Sequence, residues 1–250
     1  AQAAVIVPVI GNSNQYYIFS LECNSGANDL AYSIVDMTLD GGNGDVLTTA
    51  RGILLAGNLT ECMTAVAGNF NDVWLIVHDR SSAAFKTFRI TSSGISSPVT
   101  TTVGTFSNYY AAGLVKASHN RLKIALSLYA VGTELYDFDP GTGVVSNAQV
   151  LSSGATTGNS GYSSEFSPDN SKLYVCAGTS GGIYQFDISL STTSAIVSSK
   201  TWVAVGSFCD LKLAPDNKIY FGIGTSSTIS CFASPNASGT SCGYTAVVVS

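Results

Sequence analysis

One stretch constrains the fold of this chain more than any other: Phe166-Ser167-Pro168-Asp169-Asn170-Ser171-Lys172-Leu173-Tyr174-Val175. It reads as strand, tight turn, strand. Pro168 fixes φ for a turn, and Asp169 and Asn170 bond their own backbone and tolerate left-handed geometry. Lys172 to Val175 then resumes a β-rich run with Leu173 and Val175 on one face. The pattern returns 47 residues later as Leu213-Ala214-Pro215-Asp216-Asn217-Lys218-Ile219-Tyr220-Phe221. A looser copy, Lys116 to Ala125 around Ser118-His119-Asn120, lies about one period upstream.

A second series marks the end of each unit. Leu135-Tyr136-Asp137-Phe138-Asp139 precedes Ile183-Tyr184-Gln185-Phe186-Asp187 by 48 residues, Phe88 precedes Phe138 by 50, and Phe232 follows Phe186 by 46. Units of short strands repeating every 40 to 50 residues are the signature of propeller blades. Solenoid coils usually have shorter periods, and a two-sheet sandwich gives no reason for a recurring strand–turn–strand unit. No window shows a helical stripe with caps. The expected fold is therefore all-β, a β-propeller of four-stranded blades spanning 1–250. About five blades are expected, at 1–50, 51–102, 103–151, 152–203 and 204–250.

Hydrophobic residues make up 45% of the chain, which excludes a disordered tail, and charged residues only 11%, well below an average domain. Ser, Thr, Asn and Gly supply the polarity, a composition associated with extracellular β-proteins. A net charge of −5 with no Lys/Arg run argues against nucleic acid or an anionic membrane as partner. No window approaches a membrane span, and the start lacks the pattern of a signal peptide.

Several segments together resemble a known family. They are Tyr16-Tyr17-Ile18-Phe19, Tyr32-Ser33-Ile34-Val35-Asp36-Met37, Trp74-Leu75-Ile76-Val77-His78-Asp79, Glu134-Leu135-Tyr136-Asp137-Phe138-Asp139, Glu165-Phe166-Ser167-Pro168 and Ile183-Tyr184-Gln185-Phe186-Asp187. Their order and spacing are similar to the WD40-like propeller region of large Bacteroidota surface proteins exported by the type IX secretion system, the gliding-motility-associated type. The resemblance implies that the chain belongs to a longer polypeptide carrying a seven-bladed propeller, at the cell surface, with a binding or adhesion role. It implies no catalytic residues and no cofactor.

Candidate sites are weighed residue by residue. Asp137, Asp139, Gly141 and Gly143 could suggest a calcium loop, but the spacing fails the EF-hand pattern and Asp139-Pro140-Gly141-Thr142-Gly143 more simply makes a hairpin turn. Asp40 and Asp45, around Gly41-Gly42-Asn43-Gly44, read the same way. His78-Asp79 with Ser81 and Ser82 has the ingredients of a triad but no nucleophile elbow, so His78 reads as a hydrogen-bonded structural histidine and His119 as a solvated turn residue. Two separated histidines give no zinc pattern, so no metal is expected. Tyr16, Tyr17, Tyr109, Tyr110, Tyr162 and Trp202 could line a carbohydrate platform. Tyr109, Tyr110 and Tyr162, near blade starts after loop sequence, are the better candidates, although most aromatics in β-proteins simply pack between sheets. Asn58-Leu59-Thr60 and Asn236-Ala237-Ser238 match the glycosylation acceptor pattern.

Six cysteines permit full pairing in an oxidising compartment. Cys231 and Cys242 lie symmetrically about Pro235-Asn236-Ala237-Ser238, where a hairpin would oppose them. Cys62 and Cys209 each precede their unit's turn, while Cys23 and Cys176 lie at or past the strand after the preceding unit's turn. The same staple between blades is thus expected twice, as Cys23–Cys62 and Cys176–Cys209, with free buried thiols as the alternative.

These observations favour a non-enzymatic extracellular module for adhesion, glycan binding or assembly with other chains. A polysaccharide lyase or hydrolase on a propeller scaffold, and a purely structural spacer, are the alternatives. A pocket with convergent carboxylates would mark the enzyme.

Overall fold

The computed structural model describes residues 4–22, 27–106, 112–154, 159–178, 181–206, 208–222 and 228–248, the side chains of 247 and 248 excepted. The chain has the β-propeller fold, built of five antiparallel sheets. The first holds β1 (Ala4–Pro8), β2 (Gln15–Leu21) and β3 (Leu30–Asp36), with β4 (Asp45–Val46) and β5 (Ile53–Ala56) sharing the outer edge on β3. The second holds β6 (Leu59–Ala67), β7 (Val73–Asp79) and β8 (Ala84–Thr91), with β9 (Gly94–Ile95) and β10 (Val99–Thr102) both on β8. The third is β11 (Gly113–Ala117), β12 (Lys123–Leu128), β13 (Gly132–Phe138) and β14 (Val145–Ser153). The fourth is β15 (Gly161–Phe166), β16 (Lys172–Ala177), β17 (Ile183–Asp187) and β18 (Thr201–Ala204), and the fifth is β19 (Leu211–Leu213), β20 (Ile219–Gly222), β21 (Thr228–Phe232) and β22 (Tyr244–Val248). Among the described residues, one α-helix and two short 3-10 turns depart from the all-strand expectation. The short helix α1 (Thr193–Ser198) sits between β17 and β18, started by Thr192, whose side-chain oxygen accepts from the Ala195 amide at 3.2 Å. Six residues are too few for a periodic stripe to show in the sequence.

The chain forms two compact units, residues 1–112 with 138–146 and residues 113–137 with 147–250. The first packs every second residue of its strands, Tyr17, Phe19 and Leu21 on β2, Leu75 and Val77 on β7, Phe88 and Ile90 on β8, into one core. Its 138–146 segment is tied in by the Trp74 indole, which donates to the Pro140 carbonyl at 3.0 Å, and by the Thr87 hydroxyl, which donates to that of Gly143 at 2.8 Å. Among its described residues the second unit has two cores. Leu173 and Val175 of β16 join Ala125, Phe166 and Phe186 on one side, while Tyr174 and Cys176 join Ile183, Phe221 and Phe232 on the other. β16 is therefore buried on both faces, and each such side chain contributes about 1.5–3 kcal/mol.

The recurring turns do what their residues suggested. Asn170 and Asn217 take left-handed backbone at φ 61° each. The Asp169 carboxylate accepts from the Ser171 amide at 3.0 Å and from the Ser167 hydroxyl at 2.7 Å. In the upstream copy Asn120 plays the part of Asp169, accepting from the Leu122 amide at 3.1 Å, and the left-handed position falls on Arg121 at φ 66°. The Asp139 carboxylate is likewise spent on its own turn, accepting from the Thr142 hydroxyl at 2.6 Å and the Gly141 amide at 2.8 Å, bonds that hold it below the usual carboxylate range.

Cys176 and Cys209 form a disulfide with Cα atoms 6.1 Å apart, as the staple required. The other pairings fare differently. Cys231 and Cys242 are free and buried, because the hairpin register sets Cys231 against Thr245 and places Cys242 in the short 3-10 turn Gly239–Cys242, beside Ser234. The symmetry centre lies later in the loop than the sequence suggested. Cys62 is also a free buried thiol, and Cys23 lies outside the described residues.

Candidate binding site

The sequence put Tyr162 near a blade start, and the structure gives it an unusual place there. Between β15 and β16 the register pairs Gly161 with Ala177 and Ser163 with Cys176, so Tyr162 is the unpaired extra residue of a β-bulge. A bulge re-aims the side chain it carries. The Tyr162 ring meets Phe208, centroids 5.3 Å apart at 78° between planes, and Phe208 meets Tyr129 at 5.4 Å and 47°. The three rings come from three successive blades: Tyr129 from the β12–β13 turn, Tyr162 from the start of β15, Phe208 from the loop before β19. Phe208 is half exposed.

The loops bearing these rings are fixed from below. Ser160 accepts the Ala130 amide on its hydroxyl at 2.9 Å and the Gly178 amide on its carbonyl at 3.0 Å. The Tyr129 ring lies so close over Gly178 that a Cβ there would fall 2.5 Å from it, so glycine is required. Phe208 has φ 53°, a left-handed backbone that costs a bulky residue about 1–2 kcal/mol and persists only where surroundings impose it. Those surroundings are adjacent. The Phe208 amide donates to the Ala177 carbonyl at 3.2 Å, and the next residue, Cys209, is in the disulfide and accepts from the Ser163 hydroxyl.

The remaining aromatic candidates lie elsewhere. Tyr17 is in the core of the first unit, Tyr16 is half-buried on β2, and Trp202 lies over Gly182 on β18. Tyr109 and Tyr110 fall outside the described residues. Sequence reasoning missed Phe208 and Tyr129. Phe208 had a signal, since it follows Tyr162 by 46 residues, one repeat; Tyr129 had none, because its role depends on Gly178 of the following blade.

A second constellation lies in the same unit. The Glu165 carboxylate is wholly buried beside a cleft of about 450 Å³ lined by Lys116, His119, Pro168, Leu213 and Asn217 among others. Lys116 Nζ sits 2.6 Å from it, the amides of Phe166 and Leu213 each donate at 3.0 Å, and His119 Nε2 is 3.7 Å away and 3.2 Å from the Phe166 carbonyl. His119 is thus exposed, as its turn position suggested, while its ring also reaches Glu165. His78 is corrected: it is fully buried, its ring nitrogens have no hydrogen-bond partner within 3.5 Å among the described residues, and its ring meets Phe85 edge-on at 4.9 Å. A neighbouring cleft of about 590 Å³ carries Asp169 and Asp216. Burial pushes the Asp169 carboxyl up, but its Ser167 and Ser171 bonds outweigh that; Tyr220, then the Lys218 amide, hold Asp216 down.

No family model and no curated protein matches this sequence. Solved structures match the fold. One from Bacteroides uniformis, provisionally assigned as a 6-phosphogluconolactonase, has a TM-score of 0.60 at 16% identity over 98% of this chain and 71% of its own. A Bacteroides fragilis structure with the same provisional assignment has a TM-score of 0.57 at 11% identity over 97% and 79%. Kluyveromyces lactis Hsv2 has 0.54 at 13% over 91% and 67%.

Proposed function

We propose that the chain is a non-enzymatic, extracellular module that binds glycans, with Tyr129, Tyr162 and Phe208 as its ligand face. The observation that carries this reading is the placement of three rings on three successive blades, two on loops and one on a strand bulge, with Phe208 held half-exposed in costly backbone beside a disulfide. Core aromatics need no such device. Sugar rings present C–H faces that stack on aromatic rings, and tyrosine hydroxyls bond their edges. The disulfide supports an oxidising compartment. Cell-surface attachment, through a Bacteroidota protein of the type IX secretion class, is the setting in which such a module promotes adhesion, and partner chains or flanking domains would meet it there.

The cleft at Glu165 favours a second reading, a polysaccharide-active enzyme, less well. Glycoside hydrolysis needs two carboxyl groups facing a bond, about 5–10 Å apart. Glu165 has its oxygens committed to two amides and Lys116, and the carboxylates of Asp169 and Asp216 serve their own turns. The lactonase assignment of two neighbours belongs to those proteins and rests on fold likeness alone here. A glycan array probed with the full chain, followed by chromatography of the bound glycans, tests the choice. Retention of intact glycans supports the module. Release of shortened or unsaturated products, or retention of nothing, overturns it.

A further inference from the structure

The three rings are steeply inclined to one another, an arrangement called the cup below, and this bears on which glycan they take. Coplanar rings suit the flat face of a crystalline polysaccharide, whose sugars lie in one plane. Here Phe208 is inclined by 47° to Tyr129 and by 78° to Tyr162, with both centroids within 5.4 Å. A flat sheet of sugars could touch only one of these planes at a time, whereas a single pyranose on a flexible chain can lie on Phe208 with its edge toward a tyrosine. Charge points the same way. The chain carries a net charge of −5, which repels polyanions at a distance.

We propose that the Tyr129–Tyr162–Phe208 cup binds single pyranose units of soluble, uncharged glycan chains, with Phe208 as the stacking ring. This rests on the glycan-binding reading above and narrows it. Loop strain supplies a clean variant. Phe208→Gly removes the ring at a half-exposed position and places at φ 53° the one residue that adopts it freely, so the fold keeps its stability while the cup loses its floor.

The full chain, prepared oxidised, is titrated calorimetrically with cellohexaose, mannohexaose, xylohexaose and polygalacturonate, and sedimented with microcrystalline cellulose. At least one neutral hexaose is expected to bind, and Phe208→Gly to weaken it about tenfold or more with its thermal midpoint maintained. Binding to cellulose or polygalacturonate alone, or hexaose binding indifferent to Phe208→Gly, overturns the cup assignment while glycan binding stands. Binding to none of these probes overturns the proposed ligand class, and the array then decides whether any glycan is held. Self-association abolished by Phe208→Gly, without sugar binding, assigns the cup to a second copy of the chain and overturns the proposal.

Discussion

Burial holds the His78 imidazole neutral. Removal from water pushes its pKa down to about 4, the neighbouring Asp79 opposing only part of the shift. Because the folded value lies below the unfolded one near 6.5, the unfolded chain binds the extra proton first. The stability from neutral His78 is complete above about pH 6.5 and is lost as pH falls toward 4. At pH 4.5 the loss amounts to about 2–3 kcal/mol. Comparing denaturant midpoints at pH 7.5 and 4.5 for the natural chain and His78→Leu isolates this contribution from the carboxylates, which both share. The variant should lose about 2–3 kcal/mol less on acidification; equal losses would refute the assignment. Glu165 is the opposite case, a buried charge fully compensated. Glu165→Leu strands Lys116 and two amides and should cost about 3–5 kcal/mol, with Glu165→Gln costing less because it keeps an acceptor. A cost for Glu165→Leu below about 1 kcal/mol would show that water already reaches the pair.

Among the elements, the inner turn is the repeating device, and its weakest copy can be named. The left-handed position is Asn71, Asn170 and Asn217 in three blades but Arg121 in the third. Asparagine tolerates this conformation better than arginine. Arg121→Asn should therefore raise stability by about 0.5–1 kcal/mol, read as an upward shift in thermal midpoint, and an unchanged or lower midpoint would refute the turn argument. These turns and the strands around them were legible in the sequence because their causes are local. Pro168, Asp169 and Asn170 fix a turn whatever surrounds it, and alternation in Leu173 and Val175 marks a buried face. What was not legible depends on register and on packing across blades. The Cys231–Cys242 pairing failed by the placement of one loop centre, and His119 found Glu165 through contacts distant in sequence. The site was half legible: Tyr162 stood out after loop sequence, whereas the bulge that aims it and the Tyr129 ring over Gly178 are products of the folded sheets.

At the scale of the whole molecule, one covalent bond joins stability, compartment and binding. Cys176–Cys209 closes a loop with a sequence separation of 33, which constrains the unfolded chain by about 3–4 kcal/mol on the loop-entropy account. It also holds Cys209 beside the strained Phe208. Dithiothreitol should therefore lower the thermal midpoint of the natural chain and weaken hexaose binding together, while a Cys176→Ser/Cys209→Ser chain should show both losses from the start and no response to reductant. The free thiols cannot mimic this effect readily, since Cys62, Cys231 and Cys242 are buried and burial pushes the Cys62 thiol up to about 12, leaving almost no thiolate at neutral pH. Native alkylation at pH 7.5 should thus spare Cys62, and peptide mapping without reduction should recover the fragments bearing Cys176 and Cys209 as one species. Recovery of those fragments separately would remove the staple. A midpoint that falls with reductant while sugar affinity holds would instead show that the Ala177 and Ser163 hydrogen bonds suffice to hold the Phe208 loop.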